Sequence, residues 1–210
     1  MARPFFHPER GIWRLFGYVG EIVMLSLLWG VCCIPLVTIG ASTTALYDAV
    51  VHVIRRREDE LFPRFFRTFR AELKTGTLST LLWAAVLAAL YFVFRLIHDG
   101  KADTPQAQTL SSAYFVLLLF FLLLVLCWVF PLLSRFRFRV LPLNVTALRL
   151  AFGNILRSVP AALLTLGGIV LCYLFTTPLI FVPGLTALLW SYLMEPVFQK
   201  YDGSAEQEME

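Results

Sequence analysis

The fold is decided by residues 31–77, which read VCCIPLVTIGASTTALYDAVVHVIRRREDELFPRFFRTFRAELKTGT. The stretch has no charged residue before Asp48, and Pro35 and Gly40 interrupt it, whereas its second half alternates arginines with phenylalanines. A long apolar segment predicts helix at membrane depth, and the proline and glycine predict a break in that helix. The arginines that follow predict where the chain leaves the membrane.

The composition of the whole chain is that of a membrane protein. Of its 210 residues, 59% are hydrophobic and 15% charged, and the mean hydropathy is +0.74. In soluble domains roughly 45–50% of the residues are apolar and roughly 25% are charged. These values exclude a soluble enzyme domain of ordinary make-up, a disordered chain and a disulfide scaffold. Four acids lie in the last nine residues. We therefore predict one polytopic membrane domain over residues 1–200 and an acidic, disordered C-terminal tail over 201–210.

Charge-free windows predict the individual segments, since a spanning helix needs about 20 apolar residues. The window 158–194 is too long for one crossing, and Pro178, Pro183 and Gly184 predict its turn. In the charge-free window 22–47, Ser42 or Thr43 is placed to cap a new helix. The expected fold is an all-α integral membrane protein. Its helical bundle has about six membrane-level segments, two of them short: 12–33, 42–57, 76–98, 111–134, 158–182 and 184–199.

The two broken regions resemble each other in sequence. Pro35-Leu36-Val37, then Gly40 and Thr44-Ala45-Leu46, parallels Pro178-Leu179-Ile180, then Gly184 and Thr186-Ala187-Leu188. Either an internal duplication or coincidence in a chain rich in leucine and alanine accounts for this match.

The basic residues predict an orientation, because short cytoplasmic loops carry the Lys/Arg excess. With the N-terminus inside, six segments place 16 of the 18 Lys and Arg residues on the cytoplasmic side; the exceptions are Arg95 and Lys101. A model in which residues 41–57 lie on the surface would put the N-terminal arginines outside. We predict that both termini are cytoplasmic.

Two stretches between spans are expected to form basic amphipathic helices in the membrane interface, over 61–75 and 143–157. In the first, phenylalanines recur at helical spacing with cations along their flank. Such a helix either anchors the protein on the anionic head groups of the inner leaflet or docks on a cytoplasmic partner. The residues concerned are Phe62, Phe66, Phe69, Arg67, Arg70 and Lys74.

Ionisable groups at membrane depth are the first candidates for a functional site. Asp48 and His52 are four residues apart and share a helical face with Thr44, and the next step reaches Arg55 or Arg56. This stripe either lines a polar cavity that handles a solute or protons, or ties helices together.

A second candidate is the helix start around Gly40, Ser42 and Thr43. Free backbone N–H groups there could receive an anionic or hydroxyl-rich group, as in transporters with broken helices. In the alternative, Ser42 or Thr43 is an ordinary cap.

Signatures of catalysis and of metal binding are missing from the sequence. The four cysteines lie in apolar segments without metal-ligand spacing, and there is no nucleophile elbow or phosphate loop. We expect no catalytic residue, no metal and no cofactor. The basic loops lack a nucleic-acid-binding fold, so lipid phosphate is their expected counterpart rather than nucleic acid.

The block 31–77 resembles the signature of the YesL-like family, small bacterial membrane proteins with a domain of unknown function. The resemblance rests on Pro35, on the run from Thr38 through Gly40 to Tyr47, and on Phe65-Phe66-x-x-Phe69. It extends over about residues 11–200. It implies a protein of the bacterial cytoplasmic membrane, often encoded beside genes for carbohydrate uptake and degradation, and brings no established catalytic residues.

Two functions are therefore expected. The first is a non-enzymatic accessory protein that works with subunits of a sugar ABC importer through its basic helices. The alternative is a small transporter or channel that uses the broken segments and the stripe of Thr44, Asp48 and His52.

Overall fold

Helices form every element in the part of the chain that the structure describes. The structure is a computed structural model, and it describes residues 8–56, 58, 60–101, 105–136, 140–175 and 177–207. Seven α-helices follow one another: α1 Pro8–Cys32, α2 Ile39–Ala49, α3 Leu61–Lys101, α4 Pro105–Arg135, α5 Val140–Gly153, α6 Ile155–Leu174 and α7 Val182–Gln207. Short 3₁₀ turns at Leu36–Thr38 and Thr177–Ile180 precede α2 and α7, and a π-helical segment, Val50–Arg55, continues α2.

Four helical stretches are long and apolar enough to cross a membrane. They are Leu36–Arg55, Leu61–His98, Thr109–Arg135 and Ile155–Leu174. Large apolar side chains are exposed along them, for example Phe92 at 63% and Tyr173 at 88%, as expected of surfaces in contact with lipid. The predicted all-α membrane bundle is confirmed, while α1 and α7 as spans stay predictions.

The predicted boundary between an interfacial helix, 61–75, and a span, 76–98, is wrong. One helix of 41 residues, α3, covers both, because a single glycine without proline does not end a helix. At 1.5 Å per residue α3 is about 60 Å long, twice the roughly 30 Å of a hydrocarbon core. The fourth segment also starts earlier than predicted, since α4 begins at Pro105 instead of 111; proline is well suited to a first helical position.

The bounds of three further predicted segments are corrected. The helix predicted over 143–157 is two helices, because Asn154 leaves helical geometry (φ −124°, ψ 48°) between α5 and α6. The segment predicted over 158–182 ends at Leu174, and Pro178 lies in the second 3₁₀ turn. The last helix begins at Val182 rather than 184 and continues past 199 to Gln207, into the stretch predicted as a tail; residues 208–210 lie outside the described residues.

The helix predicted to begin at 42 begins at Ile39, directly after the first 3₁₀ turn. Ser42 and Thr43 are therefore interior residues and not caps. The Ser42 hydroxyl donates to the carbonyl of Trp29 (3.1 Å), and the Thr43 hydroxyl donates to the carbonyl of Ile39 (2.7 Å). The chain turns earlier than expected because Pro35 favours extended backbone (φ −76°, ψ 108°) ahead of the 3₁₀ turn.

A close glycine contact joins α2 to α3. A Cβ atom added to Gly76 would lie 2.7 Å from the backbone N of Ala41, so only glycine fits at this crossing. The N–H of Gly40 donates to the Thr80 hydroxyl (3.0 Å), which itself donates to the carbonyl of Gly76 (2.8 Å). Small residues at helix crossings let backbones approach in this way.

The second broken region uses the same arrangement. The N–H of Gly184 donates to the Ser26 hydroxyl (3.0 Å), which donates to the carbonyl of Ile22 (2.8 Å). A Cβ atom on Gly184 would lie 2.9 Å from that carbonyl oxygen. In both regions a glycine that follows a 3₁₀ turn gives its N–H to a hydroxyl of a neighbouring helix, so the sequence correspondence extends to structure.

The core lies where α2, α4, α5, α6 and α7 meet. Trp128 of α4 is fully buried, and its indole N–H donates to the Ser158 hydroxyl of α6 (2.8 Å). A second apolar cluster joins α1 and α2 to the start of α3 through Leu25, Leu46 and Phe65. The two clusters hold α2 from both sides, and the polar residues at the end of α2 are therefore fixed in position.

Candidate functional site

Asp48, near the end of α2, is the centre of a buried ion-pair cluster. We call Asp48, His52, Arg64 and Thr68 the Asp48 cluster. Arg64 of α3 donates from Nε to Asp48 Oδ2 (2.7 Å) and from Nη2 to Oδ1 (3.1 Å), and the Thr68 hydroxyl donates to Oδ2 (2.7 Å). Asp48 is 4% exposed. A two-pronged arginine–carboxylate pair fixes both distance and orientation, so the cluster locks the start of α3 against α2.

His52 completes this cluster from the π-helical segment. Its Nδ1 lies 3.1 Å from Asp48 Oδ1 and 2.9 Å from the Asp48 carbonyl oxygen, and its Nε2 lies 2.8 Å from Arg64 Nη2. Arg56 Nη1 is 3.4 Å from the same Nε2. The predicted stripe thus continues to Arg56. Thr44, at its other end, is fully buried and donates its hydroxyl to the carbonyl of Gly40 (2.9 Å).

A second ion pair lies at the same end of the bundle. Glu195 of α7, 4% exposed, is bound by Arg135 at the end of α4, and Arg56 Nη2 lies 3.9 Å from Glu195 Oε1. Arg55 donates to the carbonyl of Ser191 (2.8 Å) and stacks over the ring of Tyr192 at 4.8 Å. We call this end of the molecule, where the Asp48 and Glu195 pairs lie, the basic end.

A small polar cavity of about 210 Å³ opens beside the Asp48 cluster. Asp48, Arg64 and Thr68 line one wall, and Ser134 and Arg135 of α4 line the other. Asp48 thus both ties two helices together and borders a cavity. Of the predicted stripe, Asp48 lines this polar cavity. A role of the stripe in solute or proton handling stays a prediction.

The first four turns of α3 present two different faces. Phe65 is fully buried, and Phe69 packs against the cluster that contains it. Phe62 and Phe66, at 46% and 40% exposed, point away from the bundle. The outward surface, which we call the basic face, consists of Phe62, Phe66, Arg67, Arg70, Leu73 and Lys74. Of the six residues predicted for an interface, five are on this face and Phe69 turns inward.

The predicted helix-terminal site at Gly40, Ser42 and Thr43 is occupied by protein groups. The Gly40 N–H is bound by Thr80, and the hydroxyls of Ser42 and Thr43 donate to backbone carbonyls. Thr43 also accepts from the indole N–H of Trp29 (3.2 Å). Gly40 is therefore a position of close helix packing in this structure.

An apolar cavity of about 400 Å³ lies on the other side of α2, away from the basic end. Its walls come from α1, α2, α4, α6, the second 3₁₀ turn and α7. We define the apolar cavity by Trp29, Tyr47, Phe130, Thr165, Leu179 and Trp190, which are among its lining residues.

Sequence reasoning did not predict two ion-pair partners at this end of the bundle, Arg64 and Arg135. Arg64, the principal partner of Asp48, was grouped with neither the stripe nor the basic face, and the pairing of Arg135 with Glu195 was not foreseen. The available signal is the four-residue spacing of Arg64, Thr68 and Glu72, which separates them from Arg67, Arg70 and Lys74 on a helical wheel. Glu72, like Asp48, is buried.

Comparison with known proteins gives one family. Residues 22–94 match the model of a family described as "Protein of unknown function, DUF624". No curated protein and no solved structure matches the chain. The matched residues contain the whole Asp48 cluster, the basic face and the glycine contact between α2 and α3, so the match coincides with the part of the molecule built around α2 and α3.

Proposed function

We propose that this chain is a non-enzymatic accessory protein of the bacterial cytoplasmic membrane that works with subunits of a carbohydrate ABC importer. The observation that carries the proposal is the basic face. It lies on the first turns of α3, a helix that is longer than a membrane crossing requires. The resemblance to the YesL-like family supplies the carbohydrate context and is part of the proposal. The match to a family of unknown function is compatible with it.

The rigid attachment of the basic face supports docking. Arg64 and Thr68 hold the helix through Asp48, and Phe65 is inserted into the core, while Phe66 and Arg67 next to them stay exposed. A preorganised surface loses little conformational freedom on binding. Exposed aromatic and arginine side chains are also the residue types that dominate protein interfaces.

The proposed orientation puts the basic end and both termini in the cytoplasm. Arg55, Arg56, Arg64, Arg67 and Arg135 all lie at this end, and the cytoplasmic side is where short loops carry such residues. Anionic head groups of the inner leaflet are then the proposed lipid partner of Lys74, and nucleic acid is not a proposed partner.

The alternative, a transporter or channel, draws support from the two helix breaks, which both border the apolar cavity through Ile39 and Leu179. A sugar, however, needs polar partners along its path, since a buried hydroxyl without a hydrogen bond is costly. The apolar cavity has no charged residue among those that line it, and the hydroxyl of Thr44 is bonded to Gly40. These features favour the accessory function.

The test is co-purification in mild detergent combined with sugar uptake in a deletion strain. With the wild-type chain we expect subunits of the importer to be recovered and uptake to be restored. Reversing Arg67 and Arg70 to glutamate should lower recovery about tenfold, which corresponds to about 1.4 kcal/mol. The matched control replaces Arg67 and Arg70 by lysine, which keeps their charge, and should retain recovery.

Two outcomes decide the proposal. If no importer subunit is recovered and sugar uptake is unchanged in the deletion strain, the proposal is contradicted. Sugar flux into liposomes that contain only the purified protein would support the transporter instead.

A further inference from the structure

The hairpin of α3 and α4 extends well beyond the hairpin of α1 and α2. The first 3₁₀ turn, which joins α1 to α2, lies beside the middle of α3, since Gly40 shortly after this turn gives its N–H to the hydroxyl of Thr80 (3.0 Å). From there α2 runs toward the basic end, where Asp48 meets Thr68. In the opposite direction α3 continues from Thr80 to Lys101, over about 30 Å.

The hairpin of α6 and α7 is shorter than α4 in the same way. Leu179 of the second 3₁₀ turn and Leu123 of α4 both line the apolar cavity, so this turn lies near the height of Leu123. From Leu123 to Pro105, α4 extends about 27 Å farther from the basic end. We call the parts of α3 and α4 that extend past the two turns, residues 81–101 and 105–122, the arm.

The surface of the arm is mostly apolar. Its two helices pack on each other through the stacked rings of Phe94 and Phe115 (4.4 Å between centroids). Large apolar side chains point outward from both helices, for example Leu96 at 59% and Val116 at 64% exposed. Soluble proteins rarely expose apolar surface of this extent, so the arm lies in the hydrocarbon of the bilayer. The connection at its far end, residues 99–104, reads DGKADT and is charged, as expected at the outer surface.

The thickness of the bilayer then puts both 3₁₀ turns inside it. The hydrocarbon core is about 30 Å thick, and each turn lies about 20–30 Å from the charged end of the arm. Turns at the outer surface would instead leave the whole arm in water. Both turns therefore lie in the inner half of the hydrocarbon.

The composition of the two turns agrees with this depth. Residues 32–41 read CCIPLVTIGA and residues 175–184 read FTTPLIFVPG, without a charged residue in either. Even so, Ile34 and Leu36 are 77% and 75% exposed, and Phe175 is 61% exposed. Turns in water favour Asn, Asp and Ser beside Gly and Pro. Contact with lipid accounts for turns that are both apolar and exposed.

The first turn binds polar backbone groups within the protein, as hydrocarbon requires. The N–H groups of Thr38 and Ile39 donate to the carbonyls of Pro35 and Leu36, and Pro35 itself has no N–H. The Thr38 hydroxyl donates to the carbonyl of Cys32 (2.6 Å), at the end of α1. This threonine thus satisfies a helix-terminal carbonyl that water would otherwise bind.

The second turn is built in a similar way. The N–H of Phe175 donates to the carbonyl of Leu171 (3.0 Å), and the N–H of Phe181 donates to that of Pro178 (2.9 Å). Pro178 and Pro183 have no N–H to satisfy. Both turns therefore reduce the number of backbone groups that face lipid without a partner.

We propose that the hairpins α1 and α2, and α6 and α7, are re-entrant: each enters the bilayer from the side of the basic end and turns back inside it. Among the described helices, only α3 and α4 then reach the outer surface. The helices α2 and α6 are long enough to cross the bilayer but do not cross it. Each hairpin returns to the side from which it entered, so the inference is independent of whether the basic face docks on an importer.

Nitroxide labels on single cysteines measure this depth directly. They are placed in a full-length variant without the four native cysteines, purified, checked by size-exclusion chromatography and reconstituted into liposomes. Oxygen, which dissolves in hydrocarbon, and a water-soluble nickel chelate each broaden the spectrum of a label that they reach. At Leu36→Cys and Leu179→Cys we expect strong broadening by oxygen and loss of broadening by nickel. At Lys101→Cys, at the charged end of the arm, nickel should broaden the spectrum.

The matched control for the arm is Phe92→Cys, at an exposed position on α3, and it should also be reached by oxygen and not by nickel. Broadening by nickel at both Leu36→Cys and Leu179→Cys, as strong as at Lys101→Cys, would overturn the re-entrant hairpins, from whichever side of the liposome the nickel acts. Broadening by nickel at Phe92→Cys would overturn the placement of the arm in hydrocarbon. Neither readout uses an importer, so failure of the proposed function would leave both unchanged.

Discussion

Replacing Asp48 by asparagine is expected to destabilise the bundle by about 3 kcal/mol. Breaking a buried ion pair by removing one partner costs about 3–5 kcal/mol, because the other charge is left without compensation. We expect the lower part of this range, since the Arg64 side chain is 20% exposed and water can reach it. The midpoint of thermal unfolding in detergent measures this effect, and size-exclusion chromatography after heating is its readout.

The same arginine provides a matched control. Glu58 Oε2 lies 3.8 Å from Arg64 Nη1, but the Glu58 side chain is 44% exposed, and exposed pairs contribute about 0–1 kcal/mol. Glu58→Gln should therefore leave the midpoint nearly unchanged. Adding Arg64→Gln to Asp48→Asn should cost less than the two single changes together. If Asp48→Asn were as stable as Glu58→Gln, the Asp48 cluster would not hold α3 in place.

Replacing Gly76 by alanine is expected to have a similarly large effect through a different cause. The new Cβ would lie 2.7 Å from the backbone N and 2.9 Å from the Cα of Ala41, and backbone atoms in a helix cannot move aside as a flexible side chain can. Overpacking costs typically about 1–3 kcal/mol, and we expect the upper end. Thermal unfolding and the yield of folded protein measure this effect.

Gly167→Ala is the control for this prediction. Gly167 is exposed within α6, and no atom lies within 4 Å of a Cβ added there. Alanine is favoured over glycine in a helix by about 1 kcal/mol, so this variant should be unchanged or slightly more stable. A Gly76→Ala protein as stable as Gly167→Ala would show that α2 and α3 do not approach each other so closely.

Positions of the membrane helices could be predicted from the sequence, but their ends could not. Long charge-free windows overlap α3, α4 and α6, because a run of about 20 apolar residues is what a membrane crossing requires. The predicted helix ends were wrong where packing between helices determines how far a helix continues. The charge-free window predicted a boundary between residues 75 and 76, yet α3 continues through it, and Gly76 serves the contact with Ala41.

The candidate site was predictable only along one helix. Asp48 and His52 were placed on one face by their spacing, and the structure has them in contact. Arg64 lies 16 residues from Asp48 on another helix, and no pattern within one helix can pair residues whose contact depends on how the chain folds back. The apolar cavity has no sequence signal at all, since its walls come from five helices and a 3₁₀ turn.

The central claim is that the basic end, with the basic face of α3, lies in the cytoplasm. It is tested most directly by single cysteines in a variant without Cys32, Cys33, Cys127 and Cys172, labelled in intact cells by a membrane-impermeant maleimide. Arg67→Cys on the basic face should react only after the membrane is permeabilised, whereas Lys101→Cys, at the opposite end of α3, should react in intact cells. Labelling of Arg67→Cys in intact cells, with Lys101→Cys protected, would contradict the account.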